Sequence, residues 1–97
     1  MARRIAERIR QQVLEQSYDI TDHALDEAAD EGFDIFDIET ALLTGLIVKR
    51  YRNDPRGTRY EIIGLAADRE RRVAVVGRFR GDRIFRIITV YDAEAER

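Results

Sequence analysis

The sequence predicts an α+β fold in which N-terminal helices pack on a four-stranded antiparallel meander sheet. Three observations lead there. Apolar residues recur at helical spacing up to Gly45 and in β-branched, aromatic runs after it. Those later runs are joined by short loops, which makes consecutive strands antiparallel neighbours. The chain of 97 residues is long enough for one domain and too short for two. It can bury roughly 60–65% of the surface its unfolded form exposes, so one modest core must hold it together.

Residues 3–16 read as a helix, with Ile5, Ile9 and Val13 four residues apart and Leu14 beside them. The stripe is narrow, which places this helix at the periphery. Residues 18–21 form a short extended lead-in. Asp22 N-caps a second helix whose buried stripe is Leu25, Ala28 and Ala29, and Gly32 ends it in a left-handed conformation. Asp34 caps a third helix with Ile35, Ile38, Ala41 and Leu42 inward, and Gly45 stops it. Strands follow over 47–52, 59–66, 73–79 and 83–91, separated by loops at 53–57 and 68–71 and by a Gly81-Asp82 turn. The single domain, 1–97, thus divides into a peripheral helix (1–16), acidic helices (17–45) and a basic antiparallel sheet (46–91).

The turns set which way each residue faces. Counting from Gly81-Asp82 pairs Arg80 with Arg83, Phe79 with Ile84 and Gly77 with Arg86. Counting from the 68–71 loop pairs Phe79 with Tyr60, Gly77 with Ile62 and Arg78 with Glu61. The core face then holds Tyr60, Ile62, Gly64, Val73, Val75, Gly77, Phe79, Ile84, Ile88 and Val90. The other face holds Arg50, Arg52, Arg59, Glu61, Arg78, Arg80, Phe85 and Tyr91 at one end, and Ile63, Leu65, Val76 and Ile87 at the other. A single β-bulge would invert part of this alternation. The apolar end needs a cover, either the N-terminal helix or a second copy in a homodimer.

Net charge of −2 conceals a segregation. Residues 17–45 carry nine acidic side chains and no Lys or Arg, whereas residues 46–91 carry Lys49 and eleven arginines against five acids. Like charges on neighbouring strands destabilise a sheet, so an arginine-rich face favours an anionic ligand: Phe85 and Tyr91 interleaved with arginines suit single-stranded RNA. A solvated face with Glu61 neutralising Arg78 and Arg50 is the plainer reading. No apolar run approaches the ~18 residues of a membrane span, so no membrane association is expected. Without cysteine, disulfides and thiolate metal sites are excluded, and a reducing cytoplasm is the expected location.

Few residues suggest chemistry. His23, the only histidine, sits in a first helical turn and is a candidate acid/base. With Glu27 one turn on, and Asp19 or Asp26 as helpers, it could hold a hard divalent ion only weakly, so no metal site is expected. Gly77 opposite Arg86 leaves room for that arginine to cross the core face and join His23 and Tyr60 in a polar cluster. Residues 53–57 lack the Lys-Ser/Thr of a phosphate loop and Ser17 lacks a nucleophile elbow, so no cofactor is expected.

The run Tyr18-Asp19-Ile20-Thr21-Asp22-His23-Ala24, the Gly32 turn, Arg59-Tyr60-Glu61-Ile62-Ile63-Gly64 and the ending Ile87-Ile88-Thr89-Val90-Tyr91 resemble the family catalogued as domain of unknown function 4258. That family is similar in pattern to the BrnT toxins and, more distantly, to RelE-type ribonuclease toxins. The resemblance covers about residues 17–92. It implies a RelE-like fold and, by analogy, cleavage of messenger RNA as one half of a toxin–antitoxin pair. Such catalysis needs an activated 2′-hydroxyl, a stabilised phosphate and a protonated leaving oxygen. The resemblance points to His23 or Glu61 as base or acid, Arg59, Arg78 and Arg86 as phosphate clamps, and Tyr60 or Tyr91 for stacking or proton transfer. Arg50, Arg52, Arg80 and Phe85 would complete the nucleic-acid surface. Where the family commonly has arginines after the histidine and before the glycine, this chain has Glu27 and Glu31. That departure fits an inactive toxin-fold protein or a helix surface that serves a protein partner. The alternative function is a non-catalytic module whose basic sheet binds an acidic, antitoxin-like protein segment.

Overall fold

A computed structural model describes residues 2–81 and 84–95, without the side chains of residues 2 and 3. Helix α1 (Ala2–Leu14) leads to β1 (Tyr18–Ile20), α2 (Asp22–Asp30), α3 (Ile35–Thr44) and then β2 (Leu46–Tyr51), β3 (Arg59–Leu65), β4 (Arg72–Arg80) and β5 (Ile84–Asp92). The sheet has five strands in the order β1-β5-β4-β3-β2. The expectation of four antiparallel strands is corrected at one edge, because the lead-in at residues 18–20 is itself a strand. It runs parallel to β5, with Tyr18 opposite Phe85, Asp19 opposite Arg86 and Ile20 opposite Ile87. A parallel pair needs a long crossover, here supplied by everything between the two strands. Among the described residues, no helix is long and apolar enough to cross a membrane.

All three helices lie on one face of the sheet. Ile9 and Val13 of α1 are buried in the same cluster as Leu42, Ile62 and Phe85, so α1 belongs to the core and not to its periphery. Consequently it does not cover the outer face. There Ala74 and Val76 are buried between larger cross-strand neighbours, Ile63 and Tyr91 flanking Ala74 and Glu61 and Thr89 flanking Val76. Helix α2 starts one residue earlier than expected. Thr21 is its N-cap, accepting from the Ala24 amide at 3.1 Å, and this turns Ala24 and Ala28 inward while Leu25 is exposed. Helix α3 keeps its Asp34 cap as a capping box with Asp37. Ile35 lies at the exposed margin, and Ile38, Ala41 and Leu42 are buried. Gly64 lets α3 sit on β3, since a Cβ there would lie 2.1 Å from the Ala41 carbonyl oxygen.

Two register changes decide the faces. In β3–β4, Tyr60 pairs with Gly77 rather than Phe79. A slip of two residues moves partners but leaves each side chain on its expected face. In β4–β5, Arg80 pairs with Ile84, and a bulge between Val76 and Gly77 leaves Ile88 as an extra residue on β5. The expected alternation of β5 is therefore inverted up to the bulge. Phe85 and Ile87 join the core, and Ile84 and Arg86 turn outward. The expected positions of Asp82 and Arg83 lie outside the described residues.

Candidate functional site

The outer face gathers its arginines from three strands around two aspartates. Asp54, in the β2–β3 loop, folds back in an Asx turn. Its Oδ1 accepts from the Arg56 amide at 2.9 Å, while its main-chain oxygen accepts from the Gly57 amide at 3.0 Å. The turn aims Oδ2 at the sheet, where Arg78 Nη1 donates at 3.1 Å and Arg59 Nε lies 3.2 Å away. Arg56 Nε is 3.6 Å from Oδ1. The Asp54 side chain is only 9% exposed. The Arg56 amide first, and then the charges of Arg56, Arg78 and Arg59, hold its carboxyl below the usual carboxylate range.

Asp19 on β1 is the second anchor. Arg86 donates to it through Nε at 3.0 Å and Nη2 at 3.2 Å, and Arg80 Nη1 lies 3.7 Å away. The fork is bidentate, and the hydrogen bond raises the Arg86 pKa. Arg78 stands directly opposite Arg86 across β4 and β5, so two like charges face each other, each tied to a different aspartate.

Between these anchors and the far end of the sheet lies Glu61. It does not neutralise Arg78 or Arg50. Its Oε1 accepts from the Tyr51 hydroxyl at 3.1 Å and its Oε2 from the Tyr91 hydroxyl at 2.5 Å. Tyr51 reaches this face because β2 is bulged after Ile47, which sets Tyr51 opposite Arg59 and Arg50 opposite Tyr60. The Arg59 guanidinium lies 4.7 Å from the Tyr51 ring centre and the Lys49 ammonium 5.4 Å.

Two open clefts adjoin at Arg56. One, of about 500 Å³, is lined by Arg50, Tyr51, Arg52, Asn53, Asp54, Pro55, Arg56 and Arg59. The other, of about 370 Å³, is lined by Arg56, Arg78, Phe79, Arg80, Gly81 and Arg86. Seven arginines thus line the two clefts. Arg56, Arg59, Arg78, Arg80 and Arg86 contact Asp54 or Asp19, while Arg50, expected on the outer face, lies over Tyr60 on the helix side.

Several candidates fall elsewhere. His23 is 73% exposed on α2, its Nε2 3.2 Å from Glu27 Oε2, and Glu27 is anchored by the Val90 amide at 3.1 Å. Arg86 turns away from it to Asp19, so the expected cluster of Arg86, His23 and Tyr60 does not form. Gly77 instead makes room for the Phe85 ring and the Arg86 carbonyl, each 2.6 Å from where a Cβ would sit. Tyr60 packs edge-on to Phe79 on the helix side, with Arg50 over its ring. Phe85 is 0% exposed and offers no stacking surface, whereas Tyr91 lies on the outer face. Among the described residues, no three His, Cys, Asp or Glu side chains converge as a metal site.

Sequence reasoning missed Asp54, Arg56, Tyr51 and the anchoring role of Asp19. The Asn-Asp-Pro-Arg-Gly run was a legible Asx-turn signal for the first two. Tyr51 needed the β2 bulge, and Asp19 needed the parallel strand. No curated protein and no solved structure matches the chain. Residues 20–92, from the end of β1 to the end of β5, match the family described as a domain of unknown function, DUF4258, and the chain belongs to that family.

Proposed function

We propose that this protein binds single-stranded RNA on the outer sheet face, as a RelE/BrnT toxin-type member of its family. The observation that carries the reading is the pair of adjoining clefts lined by seven arginines. Guanidinium forks match phosphate oxygens, and a run of them along a groove suits a polyanionic backbone. In the catalytic form of this reading, Glu61 takes the proton of the ribose 2′-hydroxyl. The freed oxygen attacks phosphorus and forms a cyclic phosphate, while the 5′-oxygen leaves with a proton from Tyr91. Glu61 then returns its proton to Tyr91 along the hydrogen bond between them. Arg59 and Arg78 offset the charge on the phosphate.

The test is a pair of variants assayed for oligoribonucleotide binding and cleavage. Arg78→Ala should weaken binding about tenfold. Glu61→Gln should abolish cleavage and keep affinity within about threefold, a difference under ~0.7 kcal/mol. His23→Ala should leave both intact. Wild-type protein that binds no RNA at low salt would overturn the proposal.

A second reading takes an acidic protein segment as the ligand. It is favoured by Leu46 and Val48, 73% and 53% exposed on β2, an edge of the sheet that an extended peptide could continue. Replacing both with Ser would weaken such a peptide and spare RNA.

A further inference from the structure

We infer that the Arg59–Arg78 pair is a phosphate subsite, filled at rest by the Asp54 carboxylate, and that a bound phosphate displaces Asp54 together with its loop. The inference rests on the RNA-binding reading and names the place where one phosphate sits.

Asp54 leaves one of the donors around it unsatisfied. Its Oδ1 accepts from the Arg56 amide and its Oδ2 from Arg78 Nη1, and Arg59 Nε approaches Oδ2 out of line. Arg59 Nε is buried and makes no hydrogen bond, although Oδ2 is 3.2 Å away. A buried donor without an acceptor is costly, and native structures rarely keep one without a reason. A carboxylate presents two oxygens in a plane, whereas a phosphate presents its oxygens tetrahedrally, so it can meet Arg78 and Arg59 Nε from separate oxygens. Charge points the same way: three guanidinium groups surround a single anion.

The loop is built to leave. Residues 52, 53 and 55–57 are exposed, and the two hydrogen bonds that shape the turn, Arg56 to Asp54 Oδ1 and Gly57 to the Asp54 carbonyl, lie within the loop itself. Gly57 has a φ of +118° and open space around it, so the chain can swing there without a clash. Beyond the loop, Asp54 is held by its contacts to Arg59 and Arg78, the contacts a phosphate would replace.

Asp54→Asn decides between a placeholder and a structural clasp, because the two predict opposite signs. A clasp positions the arginines, so its loss weakens anion binding. A placeholder competes, so its loss strengthens it. Two probes are titrated into wild-type protein and the variant: a labelled oligouridylate of about eight nucleotides and inorganic tripolyphosphate. The variant should bind both about fivefold more tightly. In the wild type, the order parameter of the Arg56 amide should fall when tripolyphosphate saturates the protein. A folded variant that binds tripolyphosphate equally or more weakly overturns the inference, and so does an Arg56 amide that stays as ordered. If neither protein binds oligouridylate while the variant gains affinity for tripolyphosphate, the RNA reading fails and the subsite stands. If oligouridylate binds the wild type and the variant gains nothing, the reverse holds. Should the variant fail to fold, the wild-type Arg56 measurement decides alone.

Discussion

Asp68 and Asp54 head similar loops, yet the two carboxylates serve different ends. Asp68 Oδ1 accepts from the Glu70 and Arg71 amides at 2.8 and 3.0 Å, and its Oδ2 from Arg71 Nε at 2.9 Å. Every donor is local and well aligned. The Glu70 amide first, then the Arg71 side chain and amide, bring the Asp68 carboxyl down to about 2 from an ordinary 3.8. A depressed carboxylate contributes stability above its unfolded pKa, and that contribution is lost as pH falls through the folded value. The expected outcome is a wild-type melting temperature that drops more steeply than that of Asp68→Asn between about pH 4 and pH 2. A thermal melting series across that range checks it. Around Asp54 the guanidinium donors come instead from two strands, and one of them, Arg59 Nε, makes no hydrogen bond. Sequence made the charges of these residues legible but not their partners. Glu61 was paired with Arg78 by counting, and the two-residue slip in β3–β4 gave that arginine to Asp54. Phe85 was misplaced for a smaller reason, one extra residue at Ile88, because alternation has a period of two and an odd shift reverses every side chain before it.

Elements were more legible than faces. The four long strands and three helices follow from β-branched runs, caps and glycines, and each lies within a residue or two of its expected span. The lead-in at residues 18–20 was not read as a strand because three residues carry too little pattern, and their partner is remote in sequence. Helix α1 shows where a narrow stripe misleads. Ile5, Ile9 and Val13 looked too few for a core helix. Yet α1 packs beside α3 and against β2 and β5, so Ile9 is 1% exposed, in one cluster with Leu42 and Ile62. Ile9→Ala should cost about 2–5 kcal/mol in urea unfolding. Leu14→Ala, at a 65% exposed position of the same helix, should stay within about 0.5 kcal/mol. Equal effects would mean that α1 does not share the core.

At the scale of the molecule, the acids of residues 17–45 belong largely to α2 and α3, whereas Arg59, Arg78, Arg80 and Arg86 gather on the outer face of the sheet. Binding to that face should be steeply salt-dependent. Neutralising about three or four phosphates predicts a slope of about −2 to −3 for log affinity against log salt on a single strand. Arg80→Ala should reduce it by about 0.7. Anisotropy titrations at several salt concentrations measure both, and a slope near zero would speak against phosphate contacts. The parallel edge has a consequence in time rather than in space. Asp19 and Arg86 are 67 positions apart in the chain, and β5 lies between β1 and β4. A chain emerging from the ribosome therefore makes β1 early and holds it without a partner until the last strand arrives. Until then β4 also presents an unpaired edge. Such distant pairing folds slowly, and a chain truncated before β5 would leave two open edges at once, each a template for association with another copy.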